Sequence, residues 1–154
     1  MAHLDTDRVI DRADLTDLLS AWAHAIDFLE WGILGENVFA ENVTWDWTAS
    51  DGTASLSAVT HGATESVAWF ASAIKPDTQI RHVLTNHAYR IDHESAEVTS
   101  YMQLIDGANM AIAASGLVTA RCIRTGAGWR IAHLRVDEKL PPGVIERLST
   151  DTAS

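Results

Sequence analysis

The chain has 154 residues, 47% of them hydrophobic and 21% charged. At about 100–200 residues per domain, this length allows one globular domain and excludes most multidomain architectures. The 11 Lys and Arg residues against 21 Asp and Glu give a formal charge of −10, which argues against nucleic acid or an anionic membrane surface as a partner. No apolar run approaches the ~18–20 residues of a membrane span. The first residues lack the basic-then-apolar order of a secretory signal, so we expect a cytoplasmic location.

Cysteine and histidine usage limits the kinds of site to consider. Cys122 is the only cysteine, so an internal disulfide is impossible and a cysteine-based metal site is not expected. The histidines show no His-x-x-x-His spacing on a helix, and no glycine-rich dinucleotide or phosphate loop is present. We therefore expect chemistry without a metal and without an organic cofactor.

The first half of the chain predicts three helices and a hairpin. A long amphipathic helix is predicted over 11–30 and a short second helix over 33–40. Alternation predicts strands over 42–48 and 55–60, joined by a Ser-Asp-Gly turn, and a third helix follows over 63–74, where Pro76 ends it. The apolar residues that mark the first helix are Leu15, Leu18, Leu19, Trp22, Ile26 and Leu29.

The second half predicts a run of strands over 78–91, 96–106, 111–124 and 129–136. Pro141-Pro142-Gly143 ends the sheet, and the last dozen residues are expected to form a short helix and a frayed end. Helices followed by such strands indicate an α+β fold, in which a curved antiparallel sheet wraps around the N-terminal helices and leaves a cavity at one end.

Asp27 and His82 are the first candidates for a functional pair. Asp27 lies at the edge of the apolar stripe of the first helix, and His82 lies between Ile80 and Leu84 on one face of a strand. A lone helix carboxylate is usually solvated, and a buried histidine is more often a core residue than a catalyst. If the two meet, however, the carboxylate fixes the imidazole tautomer and makes the other ring nitrogen a general base.

Asp106 and Arg135 are weaker candidates at the rim of the cavity. By alternation, Asp106 shares a face with Met102 and Leu104, and Arg135 shares a face with Ile131 and His133. A turn carboxylate and a surface ion pair are the simpler interpretations of these two residues. Tyr101 has the opposite parity to Asp106 and is expected to face away.

Three segments together resemble a known family. They are the helix segment 14–27, the strand segment 80–86 and the closing Gly-Trp-Arg-Ile-Ala-His-Leu-Arg at 128–135. Over roughly residues 7–136 the chain is similar to the SnoaL-like branch of the NTF2-like superfamily, whose members include scytalone dehydratase and bile acid 7α-dehydratase. The resemblance implies a cone-shaped α+β barrel with a deep pocket. We expect a single domain over 1–154, with its core at about 7–137 and a tail over 138–154.

The resemblance also implies a chemistry. Most enzymes of this branch abstract a proton from an apolar cyclic compound and catalyse its elimination or rearrangement. They use a helix Asp and a strand His and need neither a metal nor an organic cofactor. Asp27 and His82 stand at the matching positions, and Asp106 and Arg135 fall close to two further site positions. The dehydratases carry a Tyr five residues before the helix Asp, whereas this chain has Trp22, which can donate a hydrogen bond but cannot act as an acid.

We therefore expect a lyase or isomerase that acts on a small, cyclic, mostly apolar substrate. His82 would be the base, Asp27 would orient it, and Asp106 or Arg135 would handle the leaving or polarised oxygen. A cyclase or epoxide-opening enzyme, and a non-catalytic ligand-binding protein or oxygenase small subunit, stay open as alternatives. The residues expected to contact the substrate are Trp22, Trp45, Leu84, Asn86 and Met102.

The strand over 111–122 indicates that copies of this chain assemble with one another. It carries apolar or small residues at both parities, and a strand that is apolar on both faces must be covered twice. We expect a homo-oligomer, and the resemblance to the dehydratases favours a trimer over a dimer.

Overall fold

The computed structural model describes residues 5–145, in which helices cover one face of a six-stranded sheet. The helices are α1 (Thr6–Asp27), α2 (Trp31–Ile33), which continues as a π-helical segment (Leu34–Val38), and α3 (Ala63–Ala73). The strands are β1 (Phe39–Ser50), β2 (Ser55–His61), β3 (Ile80–Ile91), β4 (Ser95–Asp106), β5 (Ala111–Thr125) and β6 (Gly128–Lys139). The predicted elements are present, with shifted ends. The helix expected within the last dozen residues falls mostly at 146–154, outside the described residues.

Helix α1 ends three residues earlier than its apolar pattern suggests, because the chain turns into a Schellman-type cap. Leu29 adopts a positive φ of 61°, and the N–H of Glu30 donates to the carbonyl of Ala25 at 2.7 Å. This 6→1 bond is the mark of that cap. It makes Asp27 the last helical residue and fixes where its carboxylate lies.

The sheet has the order β2-β1-β6-β5-β4-β3 and is curved but not closed. Four of its strand pairs are antiparallel, as predicted for the whole sheet, whereas β1 and β6 run parallel. This parallel pair joins the N-terminal hairpin to the C-terminal strands. The α+β architecture with a curved sheet around the helices is confirmed.

The core lies between α1 and the inner face of the sheet. Leu15, Trp22 and Ile26 of α1 belong to one buried cluster with inward residues of β4, β5 and β6. Cys122 lies in this core, and burial raises its pKa to about 12, so the thiol is unreactive at neutral pH. Among the described residues, no helix combines the length and apolarity that crossing a membrane requires.

Two of the β-bulges in the sheet change which of the candidate side chains point inward. In β3 the register with β4 shifts between Thr85 and Ala88, and Asn86 has a positive φ of 56°. In β6, Ile131 pairs with Cys122 and His133 with Arg121, so Ala132 is an extra residue. Each bulge inverts the alternation beyond it.

Candidate active site

Asp27 and His82 meet where the end of α1 packs on β3. The carboxylate Oδ1 of Asp27 lies 2.6 Å from Nδ1 of His82. The backbone N–H of His82 also donates to Asp27, at 3.0 Å to Oδ2 and 3.3 Å to Oδ1. The side chains are 4% and 9% exposed, respectively. The structure therefore brings together the two residues that the sequence selected.

The hydrogen bonds of this pair determine the tautomer of His82. A carboxylate can only accept, so Nδ1 carries the hydrogen and Nε2 carries the lone pair when the ring is neutral. Within residues 5–145, Nε2 has no hydrogen-bond partner. Asp27 lies at the C-terminal end of α1, where the helix dipole disfavours a negative charge, and its hydrogen bonds from His82 offset that cost.

Trp22 forms a wall beside the imidazole. Its ring meets that of His82 edge to face, with centroids 5.4 Å apart, and it is 1% exposed. Its indole N–H has no hydrogen-bond partner among the described residues. Trp22 is thus a buried donor without an acceptor in the part of the chain that the structure describes. Tyr101 is 59% exposed on the outer face, as predicted.

Leu84, Met102 and Trp45 also lie on the inner face. Leu84 and Met102 are partners in the β3–β4 register. Leu84 is the next inward residue after His82 on β3. Trp45 is buried in an aromatic group with Trp69 and Phe70, with ring centroids 5.3 Å and 4.6 Å away. Its indole N–H, like that of Trp22, has no partner within residues 5–145. Substrate contact by these three residues stays a prediction.

The predicted inward direction of Asn86 is wrong. Counting every second residue from His82 places Asn86 beside it, but the bulge in β3 turns Asn86 outward, where it is exposed. His87 takes the inward position instead, and its Nδ1 lies 2.6 Å from the hydroxyl of Ser100. Asn86 serves the backbone geometry of the bulge, because Asn tolerates a positive φ better than most residues.

The predicted inward direction of Arg135 is also wrong, for the same reason. Beyond the bulge at Ala132, the inward residues of β6 are Leu134, Val136 and Glu138. Arg135 points outward, is 53% exposed, and contacts Asp137 at 3.1 Å. The hydrogen bonds that Arg135 donates to the carboxylate of Asp137 are the main cause that raises the pKa of Arg135. The simpler interpretation, a surface ion pair, is the correct one.

Asp106 serves the turn between β4 and β5. Its Oδ1 accepts the backbone N–H of Ala108 at 2.9 Å, and its carbonyl accepts that of Met110 at 2.7 Å. Its register partner on β3 is Ile80. Among the described residues, no hydrogen bond joins Asp106 to Asp27 or His82.

Glu138 is a polar inward residue that the sequence pattern missed. It is 8% exposed, and its Oε2 accepts the indole N–H of Trp47 at 2.6 Å. Burial is the main cause that raises its pKa, and the Trp47 hydrogen bond and the charge of His82 oppose that rise. Alternation predicted a strand end at Val136 and a tail from residue 138. Counting by two from Ile131, without the bulge at Ala132, places Leu134, Val136 and Glu138 on the outer face.

Two surface grooves in the described part of the chain lie away from Asp27 and His82. The larger, of about 580 Å³, includes Asp11 and Arg124, where Asp11 also accepts the indole N–H of Trp129 at 3.0 Å. The other, of about 430 Å³, lies along β3, β4 and β5 and includes Cys122. Across residues 5–145, no three His, Cys, Asp or Glu side chains converge as metal ligands would. A substrate pocket over Asp27 and His82 stays a prediction.

Comparison with known proteins gives a family and a fold. The family model described as SnoaL-like domain matches residues 7–135, and no curated protein sequence matches the chain. The crystal structure of LinA superposes with a TM-score of 0.72 at 16% identity, covering 91% of this chain and 95% of LinA.

Two other solved structures have the same fold. A Nostoc punctiforme protein of unknown function with a cystatin-like fold gives a TM-score of 0.71 at 15% identity, with 87% of this chain and 93% of that chain covered. An NTF2-like protein with a cystatin-like fold from Novosphingobium aromaticivorans gives 0.69 at 17% identity, with 93% and 90% covered. At these identities the likeness shows the fold alone.

Proposed function

The chain belongs to the SnoaL-like domain family, and from this premise we propose that it is an acid–base lyase or isomerase. His82 is the base and Asp27 orients it. The observation that carries the proposal is the 2.6 Å contact between Asp27 and Nδ1 of a nearly buried His82. We further propose that the reaction needs neither a metal nor an organic cofactor, as in the enzymes that the sequence resembles.

The pair has the arrangement that a general base requires. With its hydrogen on Nδ1, His82 offers the lone pair of Nε2 to an acidic C–H of a bound substrate. When Nε2 takes the proton, the imidazolium is stabilised by the adjacent Asp27 carboxylate. The hydrogen bond from Nδ1 holds the ring on Asp27, and the backbone N–H of His82 holds the same carboxylate in place. The ring is thus oriented before the substrate arrives, which lowers the cost of orienting it during reaction.

The residues around the pair define the class of substrate. Trp22, Leu84 and Met102 give the inner face beside His82 an apolar character, which suits a small, cyclic, mostly hydrophobic molecule. The unpartnered indole N–H of Trp22 is a donor that one oxygen of such a molecule would accept. A cyclic ketone, alcohol or epoxide has these properties.

Turnover of a panel of cyclic ketones, alcohols and epoxides tests this function. We expect the wild type to convert at least one member and His82→Ala to lose that activity by on the order of 10²–10⁴. His87→Ala is the matched control, because His87 is a partly buried inward histidine of the same strand. The product then distinguishes elimination, isomerisation, cyclisation and epoxide opening. If His82→Ala keeps full activity, the assignment of the base is wrong.

A second candidate is a non-catalytic ligand-binding protein. It is favoured by the buried indole N–H groups of Trp22 and Trp45, which have no partner among the described residues and would bind a ligand oxygen whether or not chemistry follows. Tight binding of panel members without turnover would support this candidate over the enzyme. An oxygenase small subunit would have no need of the Asp27–His82 pair.

We also propose a homo-oligomer, a trimer rather than a dimer, in the cytoplasm. The outer face of β3, β4 and β5 is unusually apolar, and such surface is normally covered by a partner. The exposed apolar side chains on these strands are Val83, Tyr101, Ile112, Leu117 and Ile123.

A further inference from the structure

Glu138 lies on the inner face of β6 beside a glycine. Its partner in the β5–β6 register is Gly116, and its partner in the β1–β6 register is Ala49. The next inward residue along this row is Met102, which pairs with Gly116. A Cβ on Gly116 would lie 2.5 Å from the carbonyl oxygen of Asp137, so the close approach of β5 and β6 here requires glycine. The inner face between Glu138 and Met102 therefore carries no side chain.

Trp47 orients the carboxyl group of Glu138. An indole N–H can only donate, so Oε2, at 2.6 Å from Nε1 of Trp47, is an acceptor. When the group is neutral, its hydrogen is then on Oε1. Oε1 has no hydrogen-bond partner within residues 5–145. The side chain of Trp47 is itself held against Trp69, with ring centroids 5.7 Å apart.

Burial shifts Glu138 in the direction of its neutral acid form. Desolvation is the main cause that raises the pKa of Glu138, whereas the hydrogen bond from Trp47 and the charge of His82 lower it. Glu138 and His82 lie on the same inner face: Glu138 is in one register row with Gly116, Met102 and Leu84, and His82 pairs with Leu104 in the adjacent row. A base and an acid on one face of a site are the two groups that an elimination needs.

We propose that Glu138 is a second catalytic residue, the general acid that protonates the leaving oxygen of the substrate. This inference rests on the proposed function and assigns to Glu138 the role that the sequence analysis predicted for Asp106 or Arg135. Because Asp106 is occupied by its own turn and Arg135 points outward, neither has the position for it. The substrate class is thereby narrowed to cyclic ketones with a hydroxyl group β to the carbonyl.

The step balances without a further reactant. Nε2 of His82 takes the proton from the carbon next to the carbonyl, and the electrons of that C–H bond form the new C=C bond. The C–O bond breaks, its electron pair goes to oxygen, and the hydrogen of Oε1 joins that oxygen, so that water leaves. The imidazolium of His82 then returns its proton, through water, to the Glu138 carboxylate.

Two substrates that differ only in the leaving group test this role. The probe is the cyclic β-hydroxy ketone that the wild type converts fastest, and its comparison is the β-chloro ketone of the same skeleton, whose chloride leaves without a proton. We expect Glu138→Gln to lose on the order of 10²–10⁴ in kcat/KM on the hydroxy ketone, and less than about tenfold on the chloro ketone. His82→Ala should lose both activities above the uncatalysed rates.

The outcomes separate this inference from the proposed function. If Glu138→Gln converts both substrates as the wild type does, or loses both equally, Glu138 is not the acid. If His82→Ala keeps both activities, or if no panel member is converted, the proposed function itself fails.

A measurement without substrate gives an independent check. Infrared spectra at neutral pH should show a protonated carboxyl C=O band in the wild type that is absent from Glu138→Gln and present in Asp106→Asn. An unchanged band in Glu138→Gln would overturn the proposal.

Discussion

The carboxylate of Asp27 accepts two N–H groups of one residue through three contacts, and this arrangement explains why an amide cannot replace it. Both oxygens accept the backbone N–H of His82, and Oδ1 also accepts Nδ1–H. An asparagine has one acceptor oxygen and one donor group, so at least one N–H of His82 would face another donor. The substitution also removes the charge that stabilises the imidazolium.

We therefore expect Asp27→Asn to lower kcat by on the order of 10²–10⁴ on any substrate that the wild type converts. Steady-state kinetics measure the loss. Asp11→Asn is the matched control, because Asp11 is a buried carboxylate that accepts hydrogen bonds from Arg124 and Trp129 far from His82. It should lower stability and leave kcat per folded molecule unchanged. Near-full activity of Asp27→Asn would exclude the pair as the base.

Glu138 makes stability depend on pH in a direction that follows from its raised pKa. The folded state binds the proton of Glu138 more tightly than the unfolded state does, so this group favours folding at low pH. That contribution is lost as the pH rises from the unfolded value of a glutamic acid through the raised pKa. Glutamine, which does not ionise, has no such dependence.

The free energy of unfolding of Glu138→Gln should accordingly rise relative to that of the wild type as the pH increases from 4 to 8. This range begins near the pKa of a glutamic acid in the unfolded chain, ~4.3. Urea unfolding at several pH values, with Asp106→Asn as the control, measures the difference. A difference that does not change with pH would mean that the pKa of Glu138 is the same in the folded and the unfolded protein.

At the scale of the elements, the bulge in β3 turns Asn86 to the outer face of the sheet, whereas His82 faces inward. Asn86 has a φ of 56° and is exposed, so glycine should replace it without loss. Valine there should destabilise the fold by about 1–2 kcal/mol, since a β-branched residue is strained at positive φ. Thermal or chemical unfolding of Asn86→Gly and Asn86→Val measures this.

Kinetics of the same variants test the corrected role of this residue. Asn86→Gly should keep the wild-type KM, because the side chain lies outside the site. A large rise in KM with unchanged stability would show instead that Asn86 contacts the substrate.

The elements could be predicted from hydrophobic periodicity, but the inward residues beyond the bulges could not. Asp27 and His82 precede any bulge on their elements, so simple counting placed them correctly. Asn86 and Arg135 lie at or after an extra residue, where counting by two gives the wrong face. No glycine or proline marks either bulge in the sequence. Glu138 was missed because a charged residue after Val136 looks like the end of a strand.

At the scale of the whole molecule, the outer face of the sheet is the feature that calls for a partner. Tyr101, Ile112 and Leu117 are 59%, 55% and 37% exposed on neighbouring strands β4 and β5. A shared apolar patch of this kind favours burial between copies of the chain.

Light scattering at micromolar concentration should therefore give the mass of a homo-oligomer, with a trimer expected. Leu117→Lys should shift the mass toward the monomer, because a charge would be buried in the interface, whereas Arg90→Lys, on the exposed edge strand β3, should not. A monomeric mass for the wild type would contradict the assembly.

The central claim is that His82 removes a proton from carbon, and hydrogen exchange measures that step without requiring the natural substrate. Cyclic ketones incubated with the protein in D₂O should gain deuterium next to the carbonyl, which NMR detects. We predict incorporation well above the uncatalysed rate with the wild type and with His87→Ala, and none above that rate with His82→Ala. Equal incorporation by the wild type and His82→Ala would contradict the claim.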